Sequence, residues 1–239
     1  RNELDDLSQH SVGLSHESYI FNDNQYALAI DAAAPVSAFR PDLIDVLPKS
    51  FEDVIKLAED KKVIWPIKPV DSISYFNSIA ANLGSPINEP NKHFIEKKIG
   101  IEILRMMKKL AELTPEYCLK MNPIQVLDYM SVNNDKVYCP ILYGYSNYSR
   151  KGFSKYQIQF SNIPSFDDNN KENCKGSQIG GTGLAISKFS KNIDQVLDYS
   201  FWLASKECQN NLYYFSGGQP GRIDAWKNKK INNDSLNFF

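Results

Sequence analysis

Gly180-Gly-Thr-Gly-Leu-Ala-Ile-Ser-Lys188 runs on into an apolar segment, Asn192 to Leu203, then Ser205-Lys-Glu-Cys-Gln209 and Gly217-Gly-Gln-Pro-Gly-Arg222. The first test of this stretch is as a phosphate loop. Gly181-Thr182-Gly183 begins a G-x-G pattern, but Ile186 occupies the third glycine position and the cluster precedes a strand. A dinucleotide fingerprint must follow a strand and open a helix, so that phosphate meets the helix N-terminus. No G-x-x-x-x-G-K-[ST] is present either. The stretch therefore reads as a glycine connection, an extended segment, a helix opened by Asn192 and a late loop. Its backbone N–H groups could approach a ligand closely.

Working outward, short extended runs alternate with amphipathic helices. Gln25 to Ile30 and Val36 to Arg40 read as strands on either side of Asp31 and Pro35. Ser50 caps a helix that carries Phe51, Val54, Ile55 and Ala58 on one face. Lys62 to Trp65 is a β-type run ended by Pro66. Asp71 reads as the N-cap of the next helix, with Ile73, Phe76, Ile79, Ala80 and Leu83 as its apolar stripe. From Phe94 to Leu113 the residues Ile95, Ile99, Ile103, Met106, Leu110 and Leu113 recur at helical spacing. Asn122-Pro-Ile-Gln125 is a capping box with proline at the first helical position. Lys136 to Tyr143 reads as a buried strand and Tyr156 to Phe160 as a half-exposed one. Ser205 caps a continuation towards Tyr214. The class is α/β with mixed sheets.

Composition excludes several functions. Of 239 residues, 27 are Lys or Arg and 28 are Asp or Glu, a net charge of −1 without the clustered cations a nucleic-acid binder needs. No run of about 18 apolar residues exists to span a membrane. The first residue is Arg and no apolar signal core follows it, so the chain is expected to be processed or part of something longer. Cys118, Cys139, Cys174 and Cys208 form no C-x-x-C pair, and buried thiols are expected in preference to two disulfides.

No catalytic constellation emerges. His10, His16 and His93 have no metal-ligand spacing, and no G-x-S-x-G elbow exists. Asp167 and Asp168 lie in a polar Asn-rich loop and read as a solvated turn. No metal and no cofactor are expected. The aromatics are more informative. Tyr143, Tyr145 and Tyr148 cluster with Asn147 between two strands, and Trp65 ends another. Sugars and polyols combine apolar ring or chain faces with hydroxyl edges, which suits such aromatic and amide surfaces. Tyrosines and tryptophans of this kind equally fill cores.

The order and spacing of these segments resemble the extracellular solute-binding proteins of bacterial ABC importers, with the type II periplasmic-binding fold. Gly180 to Lys188 resembles that family's second hinge strand, Gln25 to Asp31 through Phe39-Arg-Pro-Asp-Leu43 its first, and Pro48-Lys-Ser-Phe-Glu-Asp53 the helix start that follows. The resemblance implies a two-lobed clamshell with lobe one incomplete: 1–40 part of lobe one and the first hinge strand, 41–179 lobe two, 180–239 the second hinge strand and return to lobe one. It implies capture of a small solute in an interlobe cleft, a carbohydrate or polyol in the first instance, and delivery to an ABC importer permease. It also implies no enzymatic activity, a monomer, and a periplasmic or extracellular location reached through a signal or lipid-anchor segment. The expected ligand residues are Asp31, Trp65, Tyr143, Tyr145, Asn147, Gly181, Thr182, Gln219 and Arg222. Arg222 and the lysines leave an organic acid open. The alternatives are a transferase-like α/β enzyme acting on a sugar or small acid, or a clamshell ligand sensor.

Overall fold

In the computed structural model, residues 2–87, 94–166 and 176–239 are described. In chain order they form α1 (Asn2–His10), β1 (Ile20–Phe21), β2 (Asn24–Gln25), β3 (Leu28–Ala29), β4 (Pro35–Phe39), α2 (Phe51–Glu59), α3 (Pro69–Asn82) and α4 (Lys97–Leu113). There follow α5 (Pro123–Met130), β5 (Tyr138–Tyr143), β6 (Gln159–Ser161), β7 (Gly183–Leu184), α6 (Ile193–Ala204), α7 (Lys206–Cys208), α8 (Ile223–Trp226) and α9 (Lys229–Asp234). The chain divides into two compact units. Unit 1 comprises Arg1–Ala34 and Ile179–Phe239, and unit 2 comprises Pro35–Gln178. The expected first segment of 1–40 is thereby shortened, because β4 is the central strand of the unit 2 sheet.

Unit 2 is built on the order β5-β4-β6, antiparallel throughout, with a register shift between Val36 and Ala38. A parallel bridge from Val63 to Tyr138 adds the Lys62–Trp65 run beside β5, and a second joins Ser50 to Ser165, so the pairing is mixed. Side chains from β4, β5 and all four helices bury a single apolar cluster that includes Ile79, Ile103, Leu110, Leu127, Ile141 and Leu142. Local chemistry sets the helix starts. Ser50 and Asp53 form a reciprocal capping box on α2, and Asn122 and Gln125 do so on α5 at 2.9 Å in both directions.

Two helix readings are corrected. α3 begins at Pro69, with Lys68 at the cap, because proline needs no N–H partner at the first helical position. Asp71 is therefore in its first turn, buried, and not its cap. Ile73 faces outward at 49% exposure, and Tyr75 takes the core position beside Phe76 and Ile79. α4 starts at Lys97, three residues after Phe94, and its expected stripe does enter the core.

Unit 1 pairs β3 antiparallel with β7, matching Leu28 to Leu184 and Ala29 to Gly183. The extended segment expected after the glycine connection is thus paired at Gly183–Leu184. Leu7, Leu28 and Ala204 form one buried cluster, and Tyr214, Ala225 and Ile231 another. Ser205 caps α7 through Cys208 N–H, and the chain then widens into a π-turn at Gln209–Tyr213. Cys118, Cys139 and Cys208 are buried free thiols. His93, Asp167, Asp168 and Cys174 lie outside the described residues.

Candidate functional site

Four of the expected ligand residues meet in unit 1. Gly180 and Ala33 exchange backbone hydrogen bonds, and Ile30 and Asp31 both donate to the Thr182 carbonyl at 3.0 and 3.2 Å. The late loop crosses the other side of the same segment, where Asp31 bridges Pro220 and the Gln219 amide donates to the Ala32 carbonyl at 2.9 Å. Asp31 is thus clasped between two backbone segments. A β-carbon on Gly181 would sit 2.2 Å from the Asp31 carbonyl oxygen, so only glycine fits there. Thr182 is exposed and acts through its main chain, as the glycine-rich sequence suggests.

The Asp31 carboxylate accepts from the Tyr213 hydroxyl at 3.5 Å and from the Gln219 backbone N–H. Burial outweighs both bonds and pushes its carboxyl up to about 6. Tyr213 reaches it from the π-turn, an irregularity that recurs at functional sites, and its ring covers Gly218. Tyr19 covers Gly183 in the same way. Sequence reasoning missed both tyrosines; the available signal was a tyrosine close in sequence to Gly217-Gly218.

The half-buried carboxylate weakens unit 1. Its folded pKa lies above the unfolded value, so this group's contribution is most favourable below the ordinary carboxylate range and is lost as pH rises through about 6. At neutral pH the cost is on the order of 3 kcal/mol. Asp31→Asn, which keeps an acceptor oxygen, is expected to stabilise unit 1 at pH 7.5 by a comparable amount and to remove this pH dependence between 4 and 6. Urea midpoints across that range measure it; equal midpoints for both proteins at pH 7.5 would contradict the assignment.

A second cluster lies in unit 2, where the end of β5 meets the first turns of α3. Tyr143 is half-buried and hydrogen-bonded with Ser74. Tyr145 is 39% exposed, and half-buried Asn147 accepts from Arg150 at 3.5 Å. Close to Tyr143 and Tyr145, Asp71 is only 7% exposed with its Oδ2 unpartnered, and the Tyr75 hydroxyl is fully buried and also unpartnered. Burial pushes the proton affinity of both groups up. Buried polar atoms without partners are rare and mark places where a ligand or water completes the bonding. Asp71 and Tyr75 were missed, although their four-residue spacing puts them on one helical face.

Two expected ligand residues are corrected. Trp65 is 1% exposed in the unit 2 core, its Nε1 donating to Thr114 Oγ1 at 3.1 Å, so it offers no stacking surface. Arg222 is 1% exposed, with Nη1 on Asp6 at 2.7 Å and Nη2 on Asp224 at 2.8 Å. These ion pairs anchor α1 and α8, and they commit one of the cations that had left an organic acid open. Tyr148 is also a packing residue, donating to Asp128 at 2.6 Å. Among the described residues, no three His, Cys, Asp or Glu side chains are grouped to hold a metal ion. Among the described residues, no helix is long and apolar enough to cross a membrane.

The fold is that of the two-lobed solute-binding proteins of ABC transporters, represented in part. Maltose-bound MalE3 of T. maritima superposes with a TM-score of 0.79 at 16% identity, over 98% of this chain and 64% of its own. A Thermotoga lettingae solute-binding protein holding α-D-tagatose gives 0.78 at 14% identity, over 100% and 66%. One from Agrobacterium radiobacter K84 in complex with ribitol gives 0.76 at 16% identity, over 98% and 62%. The chain therefore spans slightly less than two thirds of the length of these proteins. No family model matches it, and no curated protein matches it in sequence.

Proposed function

We propose that the full-length protein captures a small carbohydrate or polyol and delivers it to an ABC importer on the outer side of the cytoplasmic membrane, without chemical conversion. The observation that carries this reading is the near-complete superposition of the chain on proteins whose structures hold maltose, ribitol and tagatose. The local chemistry supports it. In unit 1, Asp31 presents a carboxylate beside Tyr213, with Gly181, Thr182 and Gln219 holding it in place. In unit 2, Tyr143 and Tyr145 offer aromatic surface near the unpartnered atoms of Asp71 and Tyr75, and Asn147 follows two residues after Tyr145. Such carboxylate, phenol and amide groups bind hydroxyls, while the aromatic faces cover C–H surface. With Arg222 committed to Asp6 and Asp224, that side chain does not speak for an organic acid.

Native mass spectrometry of the gently purified full-length protein tests the reading. A co-purifying sugar or polyol that leaves on partial unfolding and returns unmodified is the expected result. Conversion of the bound species on incubation would reassign the protein as an enzyme. Asp31→Ala and Tyr145→Ala should each weaken solute binding tenfold or more, about 1.4 kcal/mol. Calorimetric titration with the identified solute measures this, and unchanged affinity in both variants would remove these residues from the site.

A further inference from the structure

Gln209 closes the Ser205-Lys-Glu-Cys-Gln209 run and is completely buried in unit 1. Glutamine is mostly an exposed residue, and a buried amide is costly unless both of its ends are satisfied. Here both are. Nε2 donates to the Leu203 carbonyl at 3.0 Å, in the last turn of α6, and Oε1 accepts from the Gly221 N–H at 2.9 Å, twelve residues ahead. The next two amides behave differently: Asn210 and Asn211 bond back to the Lys206 and Glu207 carbonyls on their own turn. Gly221 is where the late loop lies against the Asp31 segment, since a β-carbon on it would sit 3.2 Å from the Asp31 nitrogen and from the Ile30 carbonyl carbon. Its upstream neighbours make the other contacts there, Pro220 bridging Asp31 and Gln219 donating to the Ala32 carbonyl. Gln209 also opens the π-turn that carries Tyr213 to the Asp31 carboxylate.

We propose, resting on the capture reading, that Gln209 is a positioning residue for the unit 1 part of the solute site: its amide ties the late loop to α6 and so holds Asp31 in place for the solute, which Gln209 itself does not touch. The Trp226 indole and the Val12 N–H hold the same loop by its Pro220 and Gly221 carbonyls, at 2.8 and 2.9 Å. Loss of the amide therefore loosens the loop without releasing it entirely. The Gly221 N–H, left buried without an acceptor, recovers a bond only by moving towards water, and it takes Pro220 and Gln219 away from Asp31 and Ala32 as it does so.

Gln209→Met in the full-length protein tests this, because it keeps the length of the side chain and removes both polar ends. Ser205→Ala is the control for general weakening of the same junction, since Ser205 only caps α7. Carboxyl NMR of Asp31 needs no solute. In Gln209→Met its titration midpoint is expected to fall from about 6 towards the ordinary carboxylate range as water enters, while Ser205→Ala leaves it in place. Calorimetric titration with maltose, ribitol, D-mannitol and α-D-tagatose is the second readout. For whichever of these the parent binds, Gln209→Met should weaken binding about tenfold or more and Ser205→Ala less than about twofold. Gln209→Asn, an amide too short to span both partners, should act in the same direction and is read instead if the methionine variant does not fold. A folded Gln209 variant in which either readout matches the parent overturns the positioning role, and so does an equal change in Ser205→Ala. A parent that binds none of these solutes counts against capture, and the Asp31 titration then decides by itself whether Gln209 holds this segment.

Discussion

Replacing Arg40 with alanine is expected to destabilise unit 2 by about 3–5 kcal/mol. The guanidinium is completely buried and uses every N–H it has. Nε and Nη2 hold the two Asp42 oxygens at 2.7 Å, Nη1 donates to the carbonyls of Met130 at 2.9 Å and Asn133 at 2.6 Å, and Nη2 reaches Asn134 at 3.1 Å. Its plane lies 3.8 Å over the Tyr156 ring. Asp42 is half exposed, so the ion pair itself contributes little. The large effect comes from the two carbonyls left without a donor at the end of α5, where water cannot easily replace the lost bonds. Arg40→Lys should recover only part of the loss, since one ammonium cannot reach five acceptors in a plane. Urea unfolding followed by circular dichroism measures both variants; an alanine variant within about 1 kcal/mol of the parent would refute this account.

Gly181→Ala is expected to cost more than about 3 kcal/mol in unit 1. Gly181 has φ +125°, where side chains are strained, and its added carbon would meet the Asp31 carbonyl oxygen and carbon at 2.2 and 2.9 Å. Backbone atoms cannot turn aside as a flexible side chain can. The Gly180–Gly183 segment must therefore move off Ile30–Ala33, breaking the Thr182 hydrogen bonds that hold Asp31. Stability and solute affinity should fall together. Gly176→Ala is the control: it too has positive φ, but its added carbon meets Ala81 no closer than 3.4 Å, an ordinary van der Waals contact. A Gly181→Ala protein as stable as that control would show that the close packing of these two segments is dispensable.

The elements that the chain itself announces are those with local causes. The capping boxes at Ser50 and Asn122 and the spacing of Ile99, Ile103, Met106 and Leu110 need only neighbours within four residues. The glycine segment at Gly180 and the loop at Gly217 were likewise legible, because glycine at such density announces close backbone approach. The sequence also named Asp31, Gly181, Thr182 and Gln219, which the fold brings together in unit 1, and Tyr143 with Tyr145, which it brings together in unit 2.

What the sequence could not decide was which polar and aromatic groups stay accessible. Trp65 and Tyr145 are both aromatic residues near strand ends. Thr114, forty-nine positions from Trp65, takes its indole N–H into the core, while Tyr145 remains partly exposed. Arg222 and Asp31 lie on neighbouring backbone segments, yet Asp6 neutralises the arginine from 216 residues away, whereas the aspartate accepts from the Tyr213 hydroxyl. Asp71 was mistaken for a cap because its burial depends on β5, seventy residues further on. Local hydrogen bonding and periodicity settle where helices and turns form. Burial and charge pairing are sums over residues distant in sequence, so the tertiary structure alone decides which side chains remain for a ligand.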